Sequence, residues 1–291
     1  LLVRRLVADQ PVRVLQSIMS AYDTYLARYP VPVDSHYVES RFGRTHILSS
    51  GNADAPPLVL IHGMGVNALM WARHMPELSA HFRVHAIDIP GQPGKSHAVR
   101  PDRRGSAIAD WLCEVISALS DSPIYLGAIS LGGWFALSYA SHYPERVSKL
   151  ALLAPAGVVR ARYWHMIKHY VPVLLEGSPA YKRMIQRMAY TALDAEAQEY
   201  LLACYQAYRS HLTVLPKRLR DGQMRRITAE VLALVGTTDF FFDPGRTQRR
   251  LKCLLPAAHL KQLPNCDHYI PLDQGERMMA SLLTFFLGTK P

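Results

Sequence analysis

An α/β architecture is what this sequence predicts: a mostly parallel sheet flanked by helices, with a helical segment inserted late in the chain. Three observations carry that expectation. From about residue 57, short apolar runs alternate with amphipathic stretches of helical length. Several of the runs are nearly continuous in apolar residues, as strands covered on both faces must be. One stretch, 157–227, has no strand signal and interrupts the alternation.

Taken in order, residues 1–35 read as a helical extension, with apolar residues at Leu6, Leu15, Ile18, Met19, Tyr22 and Leu26. Segments 36–41 and 45–49 flank Gly43-Arg44, which suggests an antiparallel hairpin on the sheet edge. Strands follow at 57–62, 82–88, 123–127, 149–154, 230–235 and 259–263. Between them, helices are expected at 70–81, 105–120, 131–143, 244–255 and 273–287. Strand followed by helix, repeated, builds a parallel sheet through right-handed crossovers. The 157–227 segment reads as several helices broken at Pro172, Pro179 and Pro216. The chain thus divides into an extension (1–35), a core in two pieces (36–156 and 228–291) and a helical cap insertion (157–227). The final helix should open at Asp273, which with Glu276 has the form of a capping box.

Composition narrows the function classes. With 49% hydrophobic and 19% charged residues over 291 positions, the chain can bury a sizeable core, and general disorder is excluded. No apolar run is long enough for a membrane span. Cys113, Cys204, Cys253 and Cys266 lack metal-like or redox spacing, so a reducing compartment, the cytoplasm, is expected. The sequence opens on Leu1 rather than Met, which leaves room for a lost leader. No cofactor or metal is expected. The net charge is +10, and residues 157–227 supply +7 of it together with 7 of the 15 tyrosines. Basic charge with aromatics can bind nucleic acid, but no nucleic-acid motif accompanies it. A solvated face with aromatic pocket lining is the plainer reading, so no nucleic-acid partner is expected. At most a weak association with a membrane surface fits the charge, and oligomeric state stays open.

Three motifs carry chemistry. Residues 126–133 (LGAISLGG) join a strand directly to a helix, and a serine at so sharp a turn is strained with its hydroxyl exposed. Ala128 and Gly132 supply the small residues that such a close approach of strand and helix needs. Ser130 is therefore the candidate nucleophile, with the helix N-terminus beneath it offering N–H donors to an oxyanion. Residues 61–65 (IHGMG) end an earlier strand, where Gly63 and Gly65 allow the loop to approach the substrate. The N–H groups of Met64 and Leu131 are the candidate oxyanion donors, while His62 reads as a structural loop histidine. Finally, Asp239 and His268 each follow a strand, giving the chain order Ser, Asp, His. A serine hydroxyl is weakly nucleophilic until an imidazole takes its proton, and that imidazole needs a carboxylate to fix its tautomer. Asp243 is the competing carboxylate, with Asp239 preferred. The GQPGKS string at 91–96 imitates a phosphate-binding loop, but Ile89 stands where that pattern needs glycine, and Pro90 and Pro93 remove amide donors.

From about residue 36 to 287 the sequence resembles the α/β-hydrolase superfamily, in its capped serine esterase, carboxylesterase-like branch. The resemblance rests on HGMG at 62–65, DIPGQPGKS at 88–96, AISLGG at 128–133, GTTD at 236–239 and NCDH at 265–268. It implies an α/β-hydrolase fold, a Ser130–Asp239–His268 triad and an acyl-enzyme on Ser130. Two positions depart from the family pattern: Ala128 replaces a glycine, and Asp267 precedes the histidine where glycine is usual. A carboxylate there either raises the base's pKa or orients it. Carboxylic ester hydrolysis is the expected reaction. The alternatives are acyl transfer, thioester or C–C bond hydrolysis, or a non-catalytic ligand-binding scaffold of the same fold. An insertion after a parallel strand leaves from its carboxyl end. Residues 157–227 should then cover the site, with Trp164, Met166, Met184, Met188, Met224 and the tyrosines lining an apolar pocket. The basic charge is expected at its mouth, drawing anionic substrates in at low salt.

Overall fold

In a computed structural model of the chain, residues 20, 22–188, 193–207 and 214–288 are described. The expected apolar positions Leu6, Leu15, Ile18 and Met19 lie outside them. Tyr22 and Leu26 lie in a helical turn that seats Tyr22 in the core. The hairpin forms from β1 (Asp34–Val38) and β2 (Thr45–Ser50), which pair antiparallel. Gly43 turns it with φ at 81°, a left-handed value that glycine adopts without strain.

The remaining strands run parallel to one another and are mostly buried, except the strand at the far edge. β3 (Pro57–Ile61) and β4 (Arg83–Ile87) flank a 3₁₀ segment (Ala68–His74) and helix α1 (Met75–Ser79). Helix α2 (Ala107–Ser117), β5 (Ile124–Ile129), α3 (Leu131–His142) and β6 (Val147–Leu153) follow. Among the described residues, four helices then separate β6 from β7: α4 (Tyr163–Glu176), α5 (Ser178–Met188), α6 (Ala195–Ala207) and α7 (Asp221–Met224). After β7 (Glu230–Gly236) come α8 (Pro244–Leu254), β8 (His259–Leu263), the short α9 (Ile270–Asp273) and α10 (Gly275–Leu287). Strand order is β1-β2-β4-β3-β5-β6-β7-β8. The chain runs outward from β3 to β4, then crosses back to place β5 on the other side of β3. That reversal opens a crevice at the carboxyl ends of β3 and β5, where open α/β sheets bind their ligands.

Two local expectations need correction. Pro172 does not break its helix but sits inside α4. Asp273 does not cap the last helix: it ends α9, buried, and its carboxylate accepts the N–H of Asp267 at 3.3 Å. Pro271 starts a separate turn at 270–273, so the long helix opens only at Gly275, with Gln274 at its cap. No described helix is long and apolar enough to cross a membrane.

Candidate active site

Ser130 stands between β5 and α3 with φ 51° and ψ −115°, a conformation that L-residues adopt only under strain. The neighbouring packing enforces it. A Cβ on Gly132 would lie 2.5 Å from the carbonyl oxygens of Ile61 and His62, so the first turn of α3 rests directly on the end of β3. Ser130 N–H donates to Leu153 O and its carbonyl accepts from Ala156 N, both at 2.9 Å, which fixes the turn against β6. Ala128 is wholly buried, so its methyl is accommodated where a glycine was expected.

Asp239 and His268 come from the loops after β7 and β8. A Cβ on Gly236 would lie 2.3 Å from Cys266 O, so only glycine lets the two loops meet. The His268 ring bridges the other two groups: Nδ1 lies 3.1 Å from Asp239 Oδ2, and Nε2 lies 2.8 Å from Ser130 Oγ. With the ring proton on Nδ1 donated to the carboxylate, Nε2 is left to accept the serine hydroxyl proton. Asp239 is fully buried, and its second oxygen accepts the N–H groups of Phe241 and Phe242 at 2.8 and 2.9 Å. A buried carboxylate satisfied on both oxygens is held as an acceptor and cannot swing away. The Phe241 ring packs edge-on to the imidazole, with centroids 4.6 Å apart.

Asp243 does something else. It caps α8, accepting Arg246 N–H at 2.8 Å, and pairs with Arg162 at 2.6 Å. The Arg246 N–H and the Arg162 guanidinium hold its carboxyl below the ordinary value. Asp267 turns its Oδ1 to two backbone donors, Phe240 N at 3.0 Å and His268 N at 2.7 Å, tying the acid loop to the base loop. It orients the backbone of His268, and burial pushes its own carboxyl up to about 6. His62 is buried, with Nδ1 donating to Gly63 O at 2.7 Å and Nε2 accepting Ile89 N–H at 2.9 Å, and burial lowers its pKa.

The strand-end loop after β3 is anchored from β4. Asp88 Oδ1 accepts Ala68 N–H at 2.8 Å, and Oδ2 faces His46 Nδ1 and Lys95 N, each at 2.9 Å. Burial alone would raise this carboxyl, yet the hydrogen bond and charge of His46 keep it below the ordinary value. The Lys95 backbone N–H of the mock phosphate loop is therefore spent on holding Asp88, and Gly94 packs against it, since a Cβ there would lie 2.6 Å from the carboxyl carbon.

Ser130 opens into a narrow, mainly apolar cavity of about 70 Å³ lined by Gly63, Met64, Leu131 and His268 among others. Leu131 is the first residue of α3, so its N–H has no acceptor within the helix. A Cβ on Gly63 would touch Ser130 Cβ at 3.6 Å, placing that loop beside the nucleophile. Gly65 lies behind the loop instead, with φ 75° and its N–H donated to Gln92 Oε1 at 2.9 Å; it does not line the cavity. Trp164 does not line it either, being 82% exposed on α4. Met184 and Met224 are buried elsewhere, and the side chains of Met166 and Met188 lie outside the described residues. What the insertion contributes is Ala161, Leu215 and Pro216, from the irregular segments where it leaves and rejoins the core. The Phe240-Phe241-Phe242 run beside Asp239 was visible in the sequence as a second source of apolar lining, and Phe241 and Phe242 supply it.

The insertion is tied down close to this cavity. Tyr200 on α6 donates to Asn67 Oδ1 at 3.0 Å, and Arg73 pairs with Asp194 and Glu196 at 2.5 and 2.8 Å. At its stems, Arg162 N–H donates to Phe241 O and Leu219 N–H to Gly157 O, both at 2.9 Å.

Comparison with known proteins gives a family model described as the alpha/beta hydrolase fold, matched over residues 56–185. Carboxylesterase YbfK of Bacillus subtilis (strain 168) is 26% identical over 275 residues, which cover 92% of this chain and 93% of the relative. The uncharacterized carboxylesterase nap of the same strain is 25% identical over 285 residues, 96% of this chain and 94% of the relative. The crystal structure of carboxylesterase CesB (YbfK) from Bacillus subtilis superposes with a TM-score of 0.84 at 24% identity, over 96% of this chain and all of that one.

Proposed function

We propose that the chain is a carboxylic ester hydrolase of the α/β-hydrolase superfamily that works through an acyl-enzyme on Ser130. The observation that carries this reading is the unbroken relay from Asp239 Oδ2 to His268 to Ser130 Oγ, with contacts of 3.1 and 2.8 Å. In the reaction, His268 Nε2 takes the hydroxyl proton as Oγ attacks the ester carbonyl. Asp239 holds the ring in the tautomer that accepts that proton and stabilises the imidazolium that forms. The carbonyl oxygen becomes an oxyanion within reach of the N–H groups of Met64 and Leu131. Collapse expels the alcohol, which receives the proton from His268. Water then repeats the sequence and frees the acid.

Residues 157–227 act as a cap on this reading. Ala161, Leu215 and Pro216 close one side of a slot that has room for about five waters' worth of substrate atoms at 10–15 Å³ each. An apolar, largely dry slot strengthens the oxyanion contacts and selects moderately apolar esters. The four unpaired cysteines suit a reducing compartment, and we place the enzyme in the cytoplasm. The test is hydrolysis of a panel of p-nitrophenyl esters and acyl thioesters by wild type and Ser130→Ala. Ester turnover lost in the variant supports the assignment. Turnover kept at the wild-type level, or confined to thioesters, overturns it.

A further inference from the structure

A second cavity, of about 380 Å³, adjoins the Ser130 slot and shares Ala161, Pro216 and Phe242 with it. Its character is opposite. Arg160, Lys217 and Arg218 line it, and no acidic residue does. The nearby carboxylates are already engaged: Asp221 with Arg250 at 2.6 Å and more distantly with Arg218 at 3.8 Å, and Asp243 with Arg162 at 2.6 Å. Among the described residues, neither Arg160 nor Lys217 forms an ion pair.

The backbone bearing these cations is fixed rather than loose. Leu219 N–H donates to Gly157 O at 2.9 Å, cross-linking the two irregular segments just beyond Arg160 and Arg218. Arg250 reaches under both, donating to Val158 O and, at 2.7 Å, to Leu219 O. Arg162 N–H donates to Phe241 O at 2.9 Å, joining the first segment to the loop that carries Asp239. Three positive side chains on stapled stems, converging on one cavity that opens into an apolar reactive slot, form a matched pair of environments. One takes the ester and its apolar neighbours, the other an anion.

We infer that this basic cavity at the mouth of the slot binds an anionic group at the far end of the ester substrate, so that the preferred substrates are amphipathic esters with one anionic terminus. The inference rests on the reading of Ser130 as the ester-cleaving nucleophile. A guanidinium offers a planar fork to a carboxylate or a phosphate, and the lysine adds a point charge. Either anion meets that chemistry: the free carboxylate of a half ester, or the phosphate of an acylated glycerol phosphate. A directed contact also differs from long-range attraction. Attraction over a distance acts on encounter and fades with salt, whereas a bound anion lowers KM at the site itself.

The experiment compares two matched pairs at moderate salt: monomethyl suberate against methyl octanoate, and an octanoyl glycerol phosphate against octanoylglycerol. In wild type, at least one anionic member should exceed its neutral partner in kcat/KM by about ten-fold, through KM. Which pair shows the preference identifies the anion. In the double variant Arg160→Ala, Lys217→Ala, the preference should fall to within about two-fold, with the neutral esters within about two-fold of wild type. Arg160→Lys alone should keep part of it. Neutral esters turned over with no anionic preference in either pair would overturn the subsite and leave Ser130 untouched. So would an equal loss for both members of a pair, or a preference that survives the double variant. If no member of either pair is turned over, the ester reading itself fails and takes the subsite with it.

Discussion

The sheet core and the inserted segment meet at one cavity but are built in opposite ways. The core's contribution is buried and doubly satisfied: Asp239 is bonded on both oxygens, Asp88 on both, and Ser130 is locked in a strained turn by Gly132 and Leu153. The insertion turns large apolar side chains outward, with Trp164 and Leu175 82% and 81% exposed on α4. Its wall of the cavity comes from Ala161, Leu215 and Pro216, outside its helices. The difference assigns roles. On the proposed reading, strand ends hold the reacting atoms, while the insertion's stems shape what reaches them. Changes in the core should therefore act on kcat, and changes in the insertion should act weakly or on KM.

The largest effect should come from Ser130→Ala, with a loss in turnover of about 10³-fold or more, because the three groups act as a unit. Asp239→Asn should follow at roughly 10³- to 10⁴-fold in kcat, since it loses the tautomer control over His268. Asp243→Asn should stay within about three-fold of wild type, its role being the cap of α8 and the pair with Arg162. Steady-state kinetics on one activated ester checks all three, and a crippled Asp243→Asn would reverse the choice of acid.

Asp267 tests the core from the side of stability. Burial lifts its carboxyl from the ordinary 3.8 to about 6 in the folded chain. Between those values the folded state keeps a proton that the unfolded state has released, so stability falls as pH rises through that window. Asn at 267 can still accept both backbone N–H groups but carries no charge to bury. Asp267→Asn should therefore be more stable than wild type at pH 7.5 by about 1–2 kcal/mol, a gain that disappears near pH 4. Urea titrations at the two pH values decide it, and an equal difference at both would remove burial as the cause.

The insertion should respond more gently. Tyr200→Phe removes the hydroxyl that bonds Asn67, which should cost about 1 kcal/mol and raise KM a few-fold with kcat nearly unchanged. Trp164→Ala should do least, within about two-fold in any kinetic constant and about 0.5 kcal/mol in stability. A large loss in kcat from either change would erase the division of labour between the two regions.

That same division explains what was legible in the sequence. Core strands announce themselves because both faces are covered, so the runs at 57–62, 149–154 and 230–235 match β3, β6 and β7 to within two residues. Ser130 and Asp239 each follow such a strand and His268 follows the exposed edge strand β8, all at carboxyl ends, so their meeting could be anticipated from chain order. Asp273 misleads because Asp-x-x-Glu has the same letters whether the helix starts there or a buried turn ends there; Pro271 carries the contrary signal. Apolar character alone points Trp164, Met184 and Met224 to the pocket, yet none of them lines it. Periodicity places residues on a helix face but not that face toward the site. Ala161, Leu215 and Pro216 belong to no periodic element, so no pattern could select them. The link from Tyr200 to Asn67 spans 133 positions and leaves no local mark.

On the proposed mechanism, one serine, held at the end of β5, carries the acyl group. Treat the wild-type protein with a fluorophosphonate, weigh it intact, and map the modified peptide. A single adduct on Ser130 is expected, absent from Ser130→Ala and slowed in Asp239→Asn. An adduct on any other serine, or an unmodified protein that still cleaves esters, would contradict it.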